Sequence, residues 1–205
     1  MRIVHISDTH NQHKNIEIPD GDILIHSGDA TIAGTAVEVQ NFNLWLGTLP
    51  HRHKIFVPGN HDFLFERDLN QAISLLTNAT LLIDQEIKIE GLRIYGTPWV
   101  PQFGFWAFMR KDMHLDQTFE KIPDDLDILI SHGPPFGILD NGGFGFSGSM
   151  TLMKAVYRAQ PEFHLFGHIH EGYGKHEDSQ TSYFNSALCH SSLFKITKEP
   201  RVLDL

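Results

Sequence analysis

Short apolar runs, each stopped abruptly by Ser, Gly, Asp or His, set the rhythm of the first four fifths of the chain. They are RIVHIS ahead of Asp8, DILIHS ahead of Gly28, KIFVP ahead of Gly59, DILIS ahead of His132 and FHLF ahead of Gly167. Runs of this length, rich in branched residues and bounded by turn formers, are predicted as buried strands. Between them lie stretches of helical period. TAVEVQNFNLWLGTL opens with Thr35 and Glu38 at capping-box spacing and repeats Val39, Phe42 and Leu46 along one face. Two further helices are predicted, over roughly 112–121 with Asp112 as N-cap, and over roughly 149–159 with Ser149 as N-cap and Leu152 and Val156 facing inward.

The stretch from 80 to 97 changes character and reads as strands joined by tight turns, with a hairpin at Glu90 and Gly91. SYFNSALC, SLFKIT and RVLDL near the end read as more strands. Strands and helices alternate early and strands dominate late, which predicts an α/β (α+β) chain of two packed mixed sheets with helices outside. At 205 residues, without an internal repeat or low-complexity linker, the whole chain, 1–205, is expected to form one domain around a shared interior.

Composition narrows the chemistry. The single cysteine, Cys189, excludes an intramolecular disulfide framework and a thiolate cluster, so any metal site must use histidine and oxygen donors. The chain opens directly on a strand pattern, without a basic n-region and apolar h-region, and no run approaches the length of a membrane span. A cytoplasmic protein with no membrane partner is expected. A net charge of -9 disfavours long nucleic acid, because no basic cluster is present to neutralise a row of phosphates.

What changes the picture is where the polar residues fall. Asp8 and His10, Asp29, then Asn60, His61 and Asp62, then His132, then His168 and His170 all follow one of the short strands at once or within a few residues. A lone histidine at a strand end is ordinarily a hydrogen-bonded loop residue, and an Asp after Gly is ordinarily a turn. Together they form a set of carboxylate, imidazole and amide donors suited to Mn, Fe, Zn or a similar divalent ion.

The ordered series Asp8-x-His10, Gly28-Asp29, Gly59-Asn60-His61-Asp62, His132 and Gly167-His168-x-His170 resembles the calcineurin-like metallophosphoesterases. The strings YGTPWVPQFGFWAF, ILISHGPPFGILD and GHIHEGYG are similar to the metallophosphoesterase-domain-containing subgroup, related to class III cyclic nucleotide phosphodiesterases. The resemblance implies a four-layer sandwich, with helices on the outer faces of two mixed sheets. It implies two divalent cations, Mn foremost with Fe, Zn, Co or Ni as alternatives. One would be held by Asp8, His10 and His170 and the other by Asn60, His132 and His168, with Asp29 bridging. A hydroxide bridging the ions would attack a small phosphodiester, cyclic nucleotides being the candidates. His61 would face the phosphate and stabilise or protonate the departing oxygen, with Asp62 orienting its ring. The related phosphoprotein phosphatases usually carry Glu where Asp62 stands. A homodimer is a further implication of the family.

Phe103, Phe105, Trp106 and Phe108, with Phe136, Phe144 and Phe146, form two aromatic loops after strand ends. They either pack on one another or build a wall for a nucleobase, in which case Phe136, Phe144 and Phe146 join Asn60 and His61 in holding substrate. GFGFSG at 143–148 matches a dinucleotide fingerprint by letter, but does not directly follow a strand; a loop near the site, leading to a helix N-terminus that could hold an anion, is the better reading. Two other readings stand beside the diesterase. One is a phosphomonoesterase or protein phosphatase, for which Arg110 and Arg158 are the available basic grips, and the other a nucleotide-binding regulatory protein with little turnover. The remaining histidines, His5 and His26 among them, are assigned to structure.

Overall fold

In the computed structural model, which describes residues 1–143, 145–190 and 194–205, the apolar runs become strands that are buried on both faces. In chain order the strands are β1 (Arg2–Ile6), β2 (Ile23–His26), β3 (His53–Phe56), β4 (Thr80–Leu81), β5 (Gln85–Ile89), β6 (Leu92–Thr97), β7 (Val100–Pro101), β8 (Met109–Arg110), β9 (Ile128–Ser131), β10 (Phe163–Phe166), β11 (Gly174–Glu177), β12 (Ser182–Asn185) and β13 (Arg201–Asp204). The helices are α1 (Ala36–Thr48), α2 (Leu64–Arg67), α3 (Leu69–Leu75), α4 (Asp116–Phe119) and α5 (Met150–Ala159).

One sheet runs β13-β1-β2-β3-β4, with only β13 antiparallel to its neighbour. The other runs β11-β12-β10-β9-β6-β5, parallel in its centre and antiparallel at both edges. Successive side chains of a strand point to opposite faces, so each apolar run feeds two different cores. Ile3, Ile23, Ile25 and Ile55 meet Ile94, Ile128, Ile130 and Leu165 between the sheets. Their neighbours Val4, Leu24 and Phe56 turn outward onto Val39, Phe42 and Leu46 of α1. Tyr95, Leu129 and Phe166 turn outward on the other side onto Leu152 and Val156 of α5. The result is the four-layer sandwich, helix, sheet, sheet, helix, and no helix of the described residues is long and apolar enough to cross a membrane.

The capping box of α1 is present as predicted, with the Thr35 hydroxyl accepting from Glu38 N and the Glu38 carboxylate accepting from Thr35 N. The hairpin between β5 and β6 turns at Glu90 and Gly91, both at positive φ. Ser149 caps α5 as expected by accepting from Leu152 N.

The helix predicted over 112–121 is corrected. It divides into a 3-10 turn (Asp112–His114) and α4, and Asp112 caps neither. Its carboxylate accepts from Met150 N, Thr151 N and the Ser149 hydroxyl instead, and so occupies the N-terminus of α5. An anion is therefore already built into the helix end for which an anion-holding role was expected. SLFKIT is also not a strand over its described part: Phe194 has φ 44°, and only Ile196 makes a bridge, to Cys189. Helices α2 and α3 are additions, the second capped by Asp68 accepting from Gln71 N.

Candidate active site

The carboxyl ends of β1, β2, β3, β9 and β10, drawn from both sheets, converge at one end of the sandwich, where parallel strands commonly present ligand-binding loops. The backbone there departs from ordinary geometry as soon as each strand ends. Asp8 (φ 54°), His10 (φ 40°), Asp29 (φ 55°) and His168 (φ 69°) are all left-handed, which non-glycine residues rarely adopt. The loops are laced to one another, Asp8 N donating to Gly28 O at 2.8 Å and His10 N to Asp29 O at 3.0 Å. Such strain, over-determined by its surroundings, aims side chains inward.

The side chains gather in two groups that meet at Asp29. Asp8, His10 and His170 offer ligand atoms within 4.8 Å of one another, and so do Asp29, His132 and His168. In the first group His170 Nε2 lies 3.2 Å from Asp8 Oδ1 and 3.4 Å from His10 Nε2. In the second, His132 Nε2 lies 2.9 Å from Asn60 Oδ1 and 3.5 Å from Asp29 Oδ1. The other oxygen of Asp29, Oδ2, faces His10 Nε2 at 3.9 Å. Two donors each about 2.0–2.2 Å from one ion stand roughly 2.9 to 3.5 Å apart at right or tetrahedral angles. Most of these spacings lie in that range.

The hydrogen-bond chemistry supports the same fit. His132 Nδ1 faces the Ser27 carbonyl at 2.9 Å while Nε2 faces the Asn60 amide oxygen, so both ring nitrogens meet acceptors. A neutral imidazole has one N–H, and the second nitrogen must therefore carry a proton or face a cation. Burial opposes the charged form of His132, but the adjacent Asp29 carboxylate outweighs it and lifts the pKa to about 9. Asp29 is held well below the usual carboxylate range, His132 overcoming the burial penalty. The site thus draws positive charge into a region where Asp8, His10, Asp29, Asn60 and His132 are at most 2% exposed. In His10 as in His132 the second ring nitrogen meets a backbone carbonyl, here Thr31 O at 3.3 Å, which fixes the ring and leaves Nε2 pointing at the cluster.

Close approach needs the glycines beside these residues. A Cβ on Gly167 would stand 2.1 Å from Asp8 Oδ2 and 2.1 Å from Ser7 Oγ. Replacing Gly167 with Ala is expected to cost about 1–3 kcal/mol through overpacking, and to weaken metal binding because Asp8 must move. Thermal melts with and without added Mn check this, the variant being expected to lose part of the metal-induced rise in Tm.

His61 stands beside the clusters, its Nδ1 donating to Ile32 O at 2.7 Å and its backbone N to Asp29 Oδ1 at 2.8 Å. The carbonyl partner makes Nδ1 the N–H, leaving Nε2 as the second nitrogen. Asp62 does not orient this ring, contrary to expectation. Its buried carboxylate accepts from Gly59 N, Thr31 N and the Thr31 hydroxyl, binding the two loops that carry Asp29 and His61 together. Burial and the nearby Asp29 charge push its pKa up to about 6. The hydrogen bond expected from Asp62 comes from Ile32 O instead, which sequence reading had no means to select. His5, His26 and His164 are buried beneath the site and pulled down to about 3, chiefly by burial, and all three bond to hydroxyls as structural residues do.

A cavity of about 650 Å³ opens over Asp29, Asn60, His61, His168 and His170. Its aromatic lining comprises Phe103, Trp106, Phe146 and Phe194 among the described residues. Phe103 lies over His168 with centroids 5.4 Å apart and Trp106 over His61 at 4.3 Å, so these rings pack on histidines rather than on each other. Phe136, expected to hold substrate, is not among the lining residues and meets Phe146 edge-on at 5.7 Å, while Phe108 is buried, Phe105 points to solvent and Phe144 lies outside the described residues. Phe194, which the sequence reading passed over, packs edge-on against His10 at 4.7 Å.

No lysine or arginine is among the described residues of the lining. Arg158 is engaged by the Asp124 carboxylate and by the carbonyls of Phe119 and Ile122, and Arg110 lies 3.9 Å over the Trp99 ring. Neither takes the place expected of a basic grip.

A family model described as calcineurin-like phosphoesterase matches residues 1–172. The chain is 39% identical over 231 aligned positions to human metallophosphoesterase domain-containing protein 1, an alignment covering all of this chain and 71% of that protein. It is 37% identical over 203 positions to a UPF0046 protein of Caenorhabditis elegans, covering 92% of this chain and 70% of the relative. Among solved structures, an archaeal phosphodiesterase superposes over the full length of both chains with a TM-score of 0.51 at 18% identity. The sulfate thiohydrolase SoxB of Thermus thermophilus superposes on 91% of this chain and 51% of its own, with a TM-score of 0.50 at 10% identity. The two structural likenesses speak to the fold.

Proposed function

The chain belongs to the calcineurin-like phosphoesterase family, hydrolases of phosphoesters, and from that premise we propose that it hydrolyses small phosphodiesters, nucleotides being the leading candidates, at a two-cation centre. The observation that carries this reading is Asp29, whose two oxygens face two different clusters of donors. Asp8, His10 and His170 would hold one cation, Asn60, His132 and His168 the other, and Asp29 both. The all-nitrogen-and-oxygen donor set fits Mn, and equally Fe, Zn, Co or Ni. When bound, two such ions supply Lewis acidity, a water activated near neutral pH, and a clamp on the attacking and departing oxygens.

The protein's own groups do the rest. As oxygen attacks phosphorus and the ester P–O bond breaks, the departing oxygen gains charge and needs a proton. His61 delivers it from Nε2 when both ring nitrogens carry protons: Nδ1–H stays on Ile32 O, the Nε2 proton passes to the departing oxygen, and the neutral ring regains a proton from solvent before the next turnover. The Asn60 side chain, on the adjacent residue and lining the same cavity, helps hold the phosphate. Phe146 offers a surface for an apolar or aromatic substituent of the ester, and Phe136 packs edge-on against it.

The lining favours a diester over a monoester. A monoester carries a second negative charge, and the described wall supplies no lysine or arginine to meet it. With Mn added to metal-stripped protein, bis(4-nitrophenyl) phosphate is expected to be turned over with a kcat/KM at least about tenfold above that for 4-nitrophenyl phosphate, a difference of roughly 1.4 kcal/mol. The opposite order would replace this reading with a phosphomonoesterase.

A further inference from the structure

The Nδ1 bond to Ile32 O restrains one edge of the His61 imidazole, and His10 touches the ring edge-on, at 4.8 Å and 79°, so neither contact covers a face of the ring. The broad contact is Trp106, with centroids 4.3 Å apart and ring planes 36° from parallel.

Trp106 is itself supported from behind. Phe63 packs against it at 5.9 Å and 37°, and the Arg67 guanidinium lies 4.4 Å over the Phe63 ring. The loop carrying Trp106 is tied down by backbone bonds, Ala107 N donating to Asn60 O at 3.0 Å and Phe108 N to the Glu66 carboxylate at 3.0 Å. Phe63, Glu66 and Arg67 belong to α2 or its N-terminal edge. The short helix therefore underlies a column running from Arg67 through Phe63 and Trp106 to His61.

We propose that Trp106 is a positioning residue for His61, and that the Arg67–Phe63–Trp106 column sets the imidazole plane from which the departing oxygen receives its proton. This rests on the reading of His61 as the proton donor. Contact between aromatic rings stabilises their relative orientation beyond the area the pair buries, and so favours one orientation of the imidazole over a tilted one. Misplacing a reacting group by about 1 Å can cost on the order of 10²-fold in rate. Trp106 is 40% exposed and also lines the cavity, so the competing role is direct contact with substrate. The two roles differ in what they change: contact alone raises KM, whereas misplacing a proton donor lowers kcat in proportion to how badly the leaving group needs the proton.

The test uses methyl aryl phosphodiesters running from 4-nitrophenyl to unsubstituted phenyl, with the Mn-loaded full chain. In Trp106→Ala kcat is expected to fall roughly 10- to 100-fold for the phenyl ester and much less for the nitrophenyl ester, with Trp106→Phe recovering most of the loss. Phe63→Leu, a milder change one layer back, should give a smaller loss with the same leaving-group dependence, and it keeps the test open if Trp106→Ala does not fold. Apart from turnover, the Nδ1 proton of His61 should exchange faster with water in Trp106→Ala, read in the 15N-histidine-labelled chain. A rise in KM with kcat and the leaving-group dependence unchanged would overturn the proposal, as would Trp106→Phe behaving no better than Trp106→Ala. His61→Gln is the control. If it shows no leaving-group dependence, the donor reading of His61 fails; if it does while Trp106→Ala does not, only the role given to Trp106 fails.

Discussion

Asp29→Asn is expected to remove bound metal and activity together. An asparagine keeps the shape of the carboxylate but replaces one oxygen with an NH2 group, which donates and cannot face a cation. Whichever way the amide turns, one cluster loses its shared ligand, because Oδ2 serves the His10 side and Oδ1 the His132 side. Oδ1 also accepts from His61 N at 2.8 Å, so the amide would settle with its oxygen there and its NH2 toward His10. Several kcal/mol of transition-state stabilisation attach to such an ion, and its loss corresponds to a fall in kcat/KM of at least about 10³-fold. Metal content by elemental analysis and diester turnover on the same samples check this. Retention of both would remove Asp29 from its bridging place.

His61→Gln is expected to separate what Asp29→Asn removes together. His61 is not needed to complete either ligand group, since Asp8, His10 and His170 cluster without it, as do Asp29, His132 and His168. The variant should therefore hold as much metal as the parent, with kcat reduced by about 10²- to 10⁴-fold, the usual contribution of a placed acid or base. The loss should grow as the leaving group becomes more basic, because a glutamine amide cannot donate a proton outright. Metal content unchanged and kcat unchanged would show that the departing oxygen takes its proton elsewhere. Metal lost along with kcat would instead make His61 a ligand, an arrangement for which the spacing of His10, Asp29 and His61 leaves geometric room.

What could be read from the chain before its fold depended on how local each signal is. The layered sandwich was legible because a strand buried on both faces declares itself as a short unbroken apolar run, and because α1 and α5 carry their caps, Thr35 and Ser149, next to the residues they serve. The donor series was legible for the same reason: Asp8, Asp29, Asn60, His132 and His168 directly follow or closely trail their strands. Pairings across the chain were not legible. Asp112 looked like the cap of the helix beginning at its own position, yet its partners lie 37 to 39 residues away at the start of α5.

Asp62 looked like the partner of His61 by adjacency alone. In the fold consecutive side chains diverge, and Thr31 captures it from another loop. Phe194, left-handed and edge-on to His10, carries no periodicity that would separate it from a strand residue. Helix α3 did leave a trace, since Asp68 stands three residues before Gln71 in the spacing of an N-cap and its partner. Its seven residues were too few for a convincing period.

One chain is expected to hold two divalent cations, with hydrolysis depending on them. Metal-stripped protein titrated with Mn tests both at once, bound metal per chain and hydrolysis of bis(4-nitrophenyl) phosphate being followed in the same samples. The expected result is saturation at two ions per chain, with turnover rising as they bind and absent without them. Saturation at one ion or fewer, or turnover that does not follow the metal, would rule out a two-cation centre.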